Sequence, residues 1–238
     1  MTSPQKAARL AGFAYLVTTV TGLFAELGVR GSVIVSGDAA ATARNVMASE
    51  GLWRWGFVAD LIGGAAYLVV TLLLYALLRP VSRNLSLLAA FFSIVGIAIG
   101  GAAALAHLAP LFLLSGAPYL RAFDEQQLQS LAYLAIRLHA QGYLIALTFF
   151  GFYEVLLGYL IFRSTFFPRA LGILIGLAGL AFLTNSFAVF LLPTLGNALN
   201  LYLIAVDGIG EIVLMLWLLV MGVNVRKWEE RAYPTTAS

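Results

Sequence analysis

The chain has 238 residues, of which 61% are hydrophobic and 11% charged, and its mean hydropathy is +0.93. A soluble domain carries about 25% charged residues, so 14 Lys+Arg and 11 Asp+Glu cannot cover a hydrated surface, and the composition defines an integral membrane protein rather than a soluble, disordered or coiled-coil one. The net charge of +3 comes from basic residues scattered singly, which excludes a nucleic-acid footprint, and the absence of cysteine excludes disulfides, thiolate catalysis and thiolate-held haem or zinc.

A helix crosses about 30 Å of hydrocarbon with about 20 apolar residues, and six segments qualify. The first, Ala8–Val29, follows Lys6 and Arg9, is too long for a signal-peptide core and is expected to be a retained anchor. Its Tyr15, Thr19, Gly22 and Glu26 share one helical face. Asp38–Glu50 is alanine-rich with Asp38 placed as an N-cap, which predicts a short interfacial helix. The second span, Leu52–Leu78, opens on Trp53–Arg54–Trp55, an interface pattern with a snorkelling arginine, and then aligns Asp60, Gly64, Tyr67 and Thr71. The third, Leu85–Leu114, carries a small-residue seam of Gly96, Gly100 and Ala104 that ends at His107. Asp124–Leu138 is an amphipathic lead-in, capped by Asp124 and Glu125, to the fourth span, Leu138–Phe162, which holds His139 and Glu154. The fifth, Leu171–Leu192, has a close-packing face at Gly172 and Gly176 and a polar residue at Asn185. The sixth, Leu199–Val225, places Asp207 and Glu211 at i,i+4 on one face with Asn197 and Asn200. The fold class predicted is all-α: a six-helix transmembrane bundle forming a single integral membrane domain over 1–238.

Orientation follows from lysine and arginine placement. With the N-terminus inside, nine of the 14 basic residues lie on the cytoplasmic side, and Arg30, Arg44, Arg54, Arg121 and Arg137 on the other. Both termini are therefore expected in the cytoplasm of a cell with this protein in its inner (plasma) membrane.

An ionisable side chain inside a span costs about 2.5–3.5 kcal/mol on insertion scales and needs a reason. Counted at 1.5 Å per residue, Glu26, Asp60, His107, Arg137, His139, Asn185, Asp207 and Glu211 fall towards the non-cytoplasmic side, with Glu211 near the midplane and only Glu154 in the inner half. These eight, without Glu154, form the candidate ligand-binding set, expected to meet in one outward-facing polar pocket. Glu26 has Arg30 one turn on as a partner, whereas Asp60, Asp207 and Glu211 have no basic residue one turn away in their own helices. Two carboxylates as close as Asp207 and Glu211 cannot both ionise cheaply in low dielectric, the arrangement of a proton relay or a cation site. His107 and His139 read as hydrogen-bonded packing residues rather than ligands, so no metal and no cofactor are expected, and no catalytic residue is assigned.

Arg9–Glu26 and Arg137–Glu154 share Arg-Leu, Tyr-Leu and then Phe and Glu, six identities in 18 positions. They are a weak echo of the inverted repeats of transporters, which the other spans do not continue. RLAGFAYL (9–16), GDAAATARNVMASEGLWRWGF (37–57), LLLYALLRPVSRNLSLLAAFF (72–92), GYLIFRSTFFPRALGILIGLAGLAFLTNSF (158–187) and LWLLVMGVNV (216–225) resemble an uncharacterised bacterial membrane family, the domain-of-unknown-function series numbered 4386. The resemblance implies six membrane helices and no stated activity. The family pattern carries an acid where Asn185 stands here, a departure that weakens the case for an ionising group at this position.

Protease, prenyltransferase, nucleophile-elbow and phosphate-loop motifs are absent. The leading expectation is a protein that binds or transports a small molecule, ion or lipid. A membrane-embedded acid–base enzyme, cyclase- or isomerase-like and acting on a lipid or isoprenoid, is the alternative, and a structural or regulatory subunit the second. The expected partners are membrane lipid and a small-molecule or lipid ligand, with no nucleic acid. Substrate, enzyme status and oligomeric state stay open.

Overall fold

The computed structural model describes residues 3–233, which contain helices and no strand. Helix α1 runs Pro4–Leu23, widens into a π-helical stretch at Phe24–Arg30 and closes with one α turn at Gly31–Val33. Then follow α2 (Ala39–Ala48), α3 (Glu50–Leu78), α4 (Arg83–Leu113), α5 (Glu125–Arg163), α6 (Arg169–Leu191), α7 (Pro193–Val220) and α8 (Val225–Ala232). Six of them, α1 with its extension to Val33 and α3 to α7, are long and apolar enough to cross a membrane. The chain is a multi-pass helical membrane protein.

Local chemistry sets the ends. The Asp38 carboxylate accepts from Ala41 N at 2.8 Å and starts α2, the helix predicted over this segment. At the start of α5, Asp124 Oδ1 accepts from Gln127 N while Gln127 Oε1 accepts from Asp124 N. This reciprocal capping box lets the amphipathic lead-in and the fourth span form one helix of 39 residues. At about 58 Å, α5 is far longer than the hydrocarbon layer is thick.

The sixth span differs from its predicted limits. Pro193 was expected to lie in a break reaching Ala198; instead it occupies the first turn of α7, where its missing N–H costs nothing and its φ is already helical. The helix stops at Val220 rather than Val225, because Gly222 turns at φ +68°. The Gln5 side chain ties that end down, donating to Met221 O at 3.0 Å and accepting from Val223 N at 2.9 Å. The short α8 beyond it, capped by Asn224, has no counterpart among the predicted spans.

The residues sort into two compact units. Of the described residues, one comprises 3–16, 66–97 and 145–233, and the other 17–65 and 98–144. Each has its own apolar core. In the first, Leu74, Leu77, Leu160, Ile161, Ile175, Leu214 and Leu218 are among the buried side chains. In the second, Val29, Val33, Val46, Trp53, Leu111 and Ile136 play this part. Large apolar side chains such as Leu72, Leu105, Leu201 and Ile209 remain exposed along the spans, as expected of helices solvated by lipid.

Within the first unit, α5 and α6 meet through glycine. A Cβ on Gly158 would run into the Gly176 and Gly172 backbone, and one on Gly172 into Phe162. The close-packing face predicted at Gly172 and Gly176 is therefore met by a matching glycine on α5.

Candidate functional site

Six ionisable side chains gather into two groups, each inside one unit, with one donor atom from every member within 4.8 Å of the others. Residues 17–65 and 98–144 hold Asp60, His107 and His139; the other unit holds Glu154, Asp207 and Glu211.

Asp60 comes from α3, His107 from α4 and His139 from α5. The π-helical stretch of α1 brings Arg30 to them. Its guanidinium donates to Asp60 Oδ2 at 2.7 Å and Oδ1 at 3.2 Å, and its Nε to Glu26 Oε2 at 2.7 Å. Arg30 is 7% exposed, so the bidentate pair with Asp60 neutralises a cation that burial would otherwise penalise heavily. Glu26, 63% exposed at its side chain, adds a weaker partner. The sequence offered Arg30 to Glu26 through i,i+4 spacing; Asp60 is 30 residues away, and no local signal joins them.

Both imidazoles are oriented by backbone. His107 Nε2 lies 2.9 Å from Trp53 O, and Trp53 Nε1 donates back to His107 O at 2.7 Å. The two rings stack 4.2 Å apart and 7° from parallel. Trp53 is fully buried, and its indole N–H finds its partner inside the protein. Trp55 and Arg54 are exposed, and Arg54 pairs with Glu50 at 2.6 Å. His139 Nδ1 lies 3.0 Å from Ala103 O. Arg137, two residues earlier on α5, is exposed.

The second group is chemically different. Glu154 projects from α5, and Asp207 and Glu211 from α7. Glu154 is 1% exposed and Asp207 4%. Glu211 Oε1 accepts from Tyr15 OH at 2.8 Å, whereas among the described residues no donor from outside the three acids reaches either carboxyl oxygen of Glu154 or Asp207 Oδ1. Among the described residues, no lysine, arginine or histidine forms an ion pair with any of the three. Tyr67 lies edge-on to both Tyr15 and Tyr153, at 5.4 and 6.2 Å, so aromatic rings shape the surroundings. Three carboxylates cannot coexist in such a place without protons or a cation to neutralise them.

Sequence reasoning found Asp207 and Glu211 through their shared helical face but left Glu154 out, because its depth set it apart from the other acids. With α7 starting at Pro193, Asp207 lies about 21 Å along that helix, deeper than a start at Leu199 implies and so nearer the level of Glu154. Asn185, also buried in this unit, donates from Nδ2 to Asn200 Oδ1 at 2.9 Å and leaves its own Oδ1 without a partner. It belongs to neither group of donors.

The fold defines a polytopic helical membrane protein, with ionisable groups buried among its helices. The family model described as Domain of unknown function (DUF4386) matches residues 10–222, and the chain belongs to that family. An uncharacterized protein of Archaeoglobus fulgidus is 32% identical over 153 residues, covering 64% of this chain and 75% of the relative. No solved structure matches.

Proposed function

We propose that this protein is a cation-binding carrier of the inner (plasma) membrane, with both termini cytoplasmic, and that Glu154, Asp207 and Glu211 take up a small cation in exchange for protons. One observation carries the reading: three carboxyl groups from two helices are gathered within 4.8 Å, and among the described residues none of them forms an ion pair with a basic side chain. A structural network of acids is normally balanced by arginine, lysine or histidine, as Arg30 balances Asp60. Here charge neutrality must come from something mobile, either protons or a cation. The nine-to-five split of basic residues supports the orientation.

The burial of Glu154 and Asp207 favours a proton or a bare ion over a lipid or isoprenoid, whose chain needs an open cavity beside the acid.

Infrared difference spectroscopy on purified protein tests the exchange. Adding Na⁺, Ca²⁺ or Mn²⁺ at neutral pH should remove protonated-carboxyl absorption and add carboxylate absorption, and Glu154→Gln should abolish the change. Identical spectra from wild type and Glu154→Gln with every cation refute the site.

A further inference from the structure

We infer that Asp60, His107 and His139 form a binding site for one divalent first-row transition-metal ion of the zinc type, independent of the acid group in the other unit. Sequence reasoning treated both histidines as packing residues; their hydrogen bonds give a different picture. His107 Nε2 faces a carbonyl, Trp53 O, which can only accept. The proton must therefore sit on Nε2, leaving Nδ1 with its lone pair. Nδ1 is buried and has no hydrogen-bond partner, and the residue is 1% exposed. A packing histidine has no use for a buried, unsatisfied lone pair, whose desolvation is left uncompensated. The same logic places the His139 proton on Nδ1 against Ala103 O, so Nε2 carries the lone pair there. Holding the ring N–H on a backbone carbonyl while the other nitrogen stays free is how metal-binding histidines are fixed in tautomer and direction.

The third donor completes the set. Asp60 offers a carboxylate oxygen within 4.8 Å of a nitrogen from each ring. Donors bound at about 2.0–2.1 Å stand at most about 4 Å apart, so closing on an ion takes side-chain shifts on the order of 1 Å. Arg30 does not use up the acid: a carboxylate has about four lone-pair positions, and the guanidinium occupies two. Arg30 instead orients Asp60, as hydrogen-bonded partners of ligating carboxylates do. With Glu26 and Asp60 negative and Arg30 positive, the local charge is −1, facing two neutral imidazoles, which suits a divalent cation. Two nitrogens and one oxygen match a borderline ion better than Mg²⁺ or Ca²⁺, which prefer all-oxygen shells. Three protein ligands also leave a coordination position open, as in zinc sites that bind water or substrate.

Purified full-length protein, stripped with chelator and dialysed against Zn²⁺ or Co²⁺, tests the site. Wild type should retain one Zn²⁺ per chain by elemental analysis, and its Co²⁺ form should show visible d–d absorption. His139→Gln keeps an N–H for Ala103 O but loses the imidazole, and it should weaken binding at least 100-fold while staying monodisperse. Glu154→Gln should leave the Co²⁺ spectrum unchanged, which separates this site from the proposed exchange site. Wild type that retains no stoichiometric metal overturns the inference by itself. So does a His139→Gln variant that binds Co²⁺ with an unaltered spectrum and affinity.

Discussion

Arg30 joins a carboxylate of its own helix, Glu26, to one from α3, Asp60. It sits in the π-helical stretch Phe24–Arg30, a backbone form that recurs at functional positions, and its guanidinium donates three hydrogen bonds to carboxylates. Its two partners should differ sharply on mutation. Asp60→Asn leaves a buried guanidinium without its counter-charge and should destabilise the protein by about 3–5 kcal/mol. Glu26→Gln removes a largely exposed partner and should cost under about 1 kcal/mol. Thermal denaturation of both variants in the same detergent checks the contrast; equal losses would mean that Asp60 is not the principal partner. At this scale the sequence was partly legible. The Glu26–Arg30 pair follows from spacing along one helix, but Asp60–Arg30 and Trp53–His107 join different helices. Helical phase says which residues share a face and is silent on which helix lies opposite.

At the scale of elements, the spans were legible because a long apolar run has few alternatives in a membrane. Their limits followed local chemistry that hydropathy does not report: Pro193 tolerated at a first turn, the Asp124–Gln127 capping box, and Gly222 at positive φ. Packing between helices was legible in part, since Gly172 and Gly176 announced a close contact but not that Gly158 would fill it. Two substitutions separate glycines that pack from one that does not. Gly158→Val drives a branched side chain into the Gly172 and Gly176 backbone and should leave little monodisperse protein on size-exclusion chromatography. Gly22→Ala, in α1, meets no atom within 4 Å and should raise stability by about 0.5–1 kcal/mol through helix propensity. If Gly158→Val behaves like wild type, α5 and α6 are not held at glycine distance.

On the scale of the whole molecule, membrane residence is written in the composition, since a chain with 11% charged residues has no other way to satisfy its surface. The grouping of the intramembrane charges was not. Depth along each span gives the level of an acid or histidine but not its neighbours; the donor atoms that gather are those of Asp60, His107 and His139 in one unit and of Glu154, Asp207 and Glu211 in the other. The echo between Arg9–Glu26 and Arg137–Glu154 also ends in unlike surroundings: Glu26 is exposed and paired with Arg30, whereas Glu154 is buried and grouped with two other acids. On the exchange proposed above, Glu154 is the acid at which proton and cation compete. Transport measured on reconstituted protein tests this most directly. In proteoliposomes loaded with a pH-sensitive dye, an inward gradient of Na⁺, Ca²⁺ or Mn²⁺ should drive protons out through wild type. Glu154→Gln and Asp207→Asn should each slow that flux more than tenfold. Proton movement no faster than in empty liposomes for every cation, or fluxes unchanged in both variants, would contradict the account.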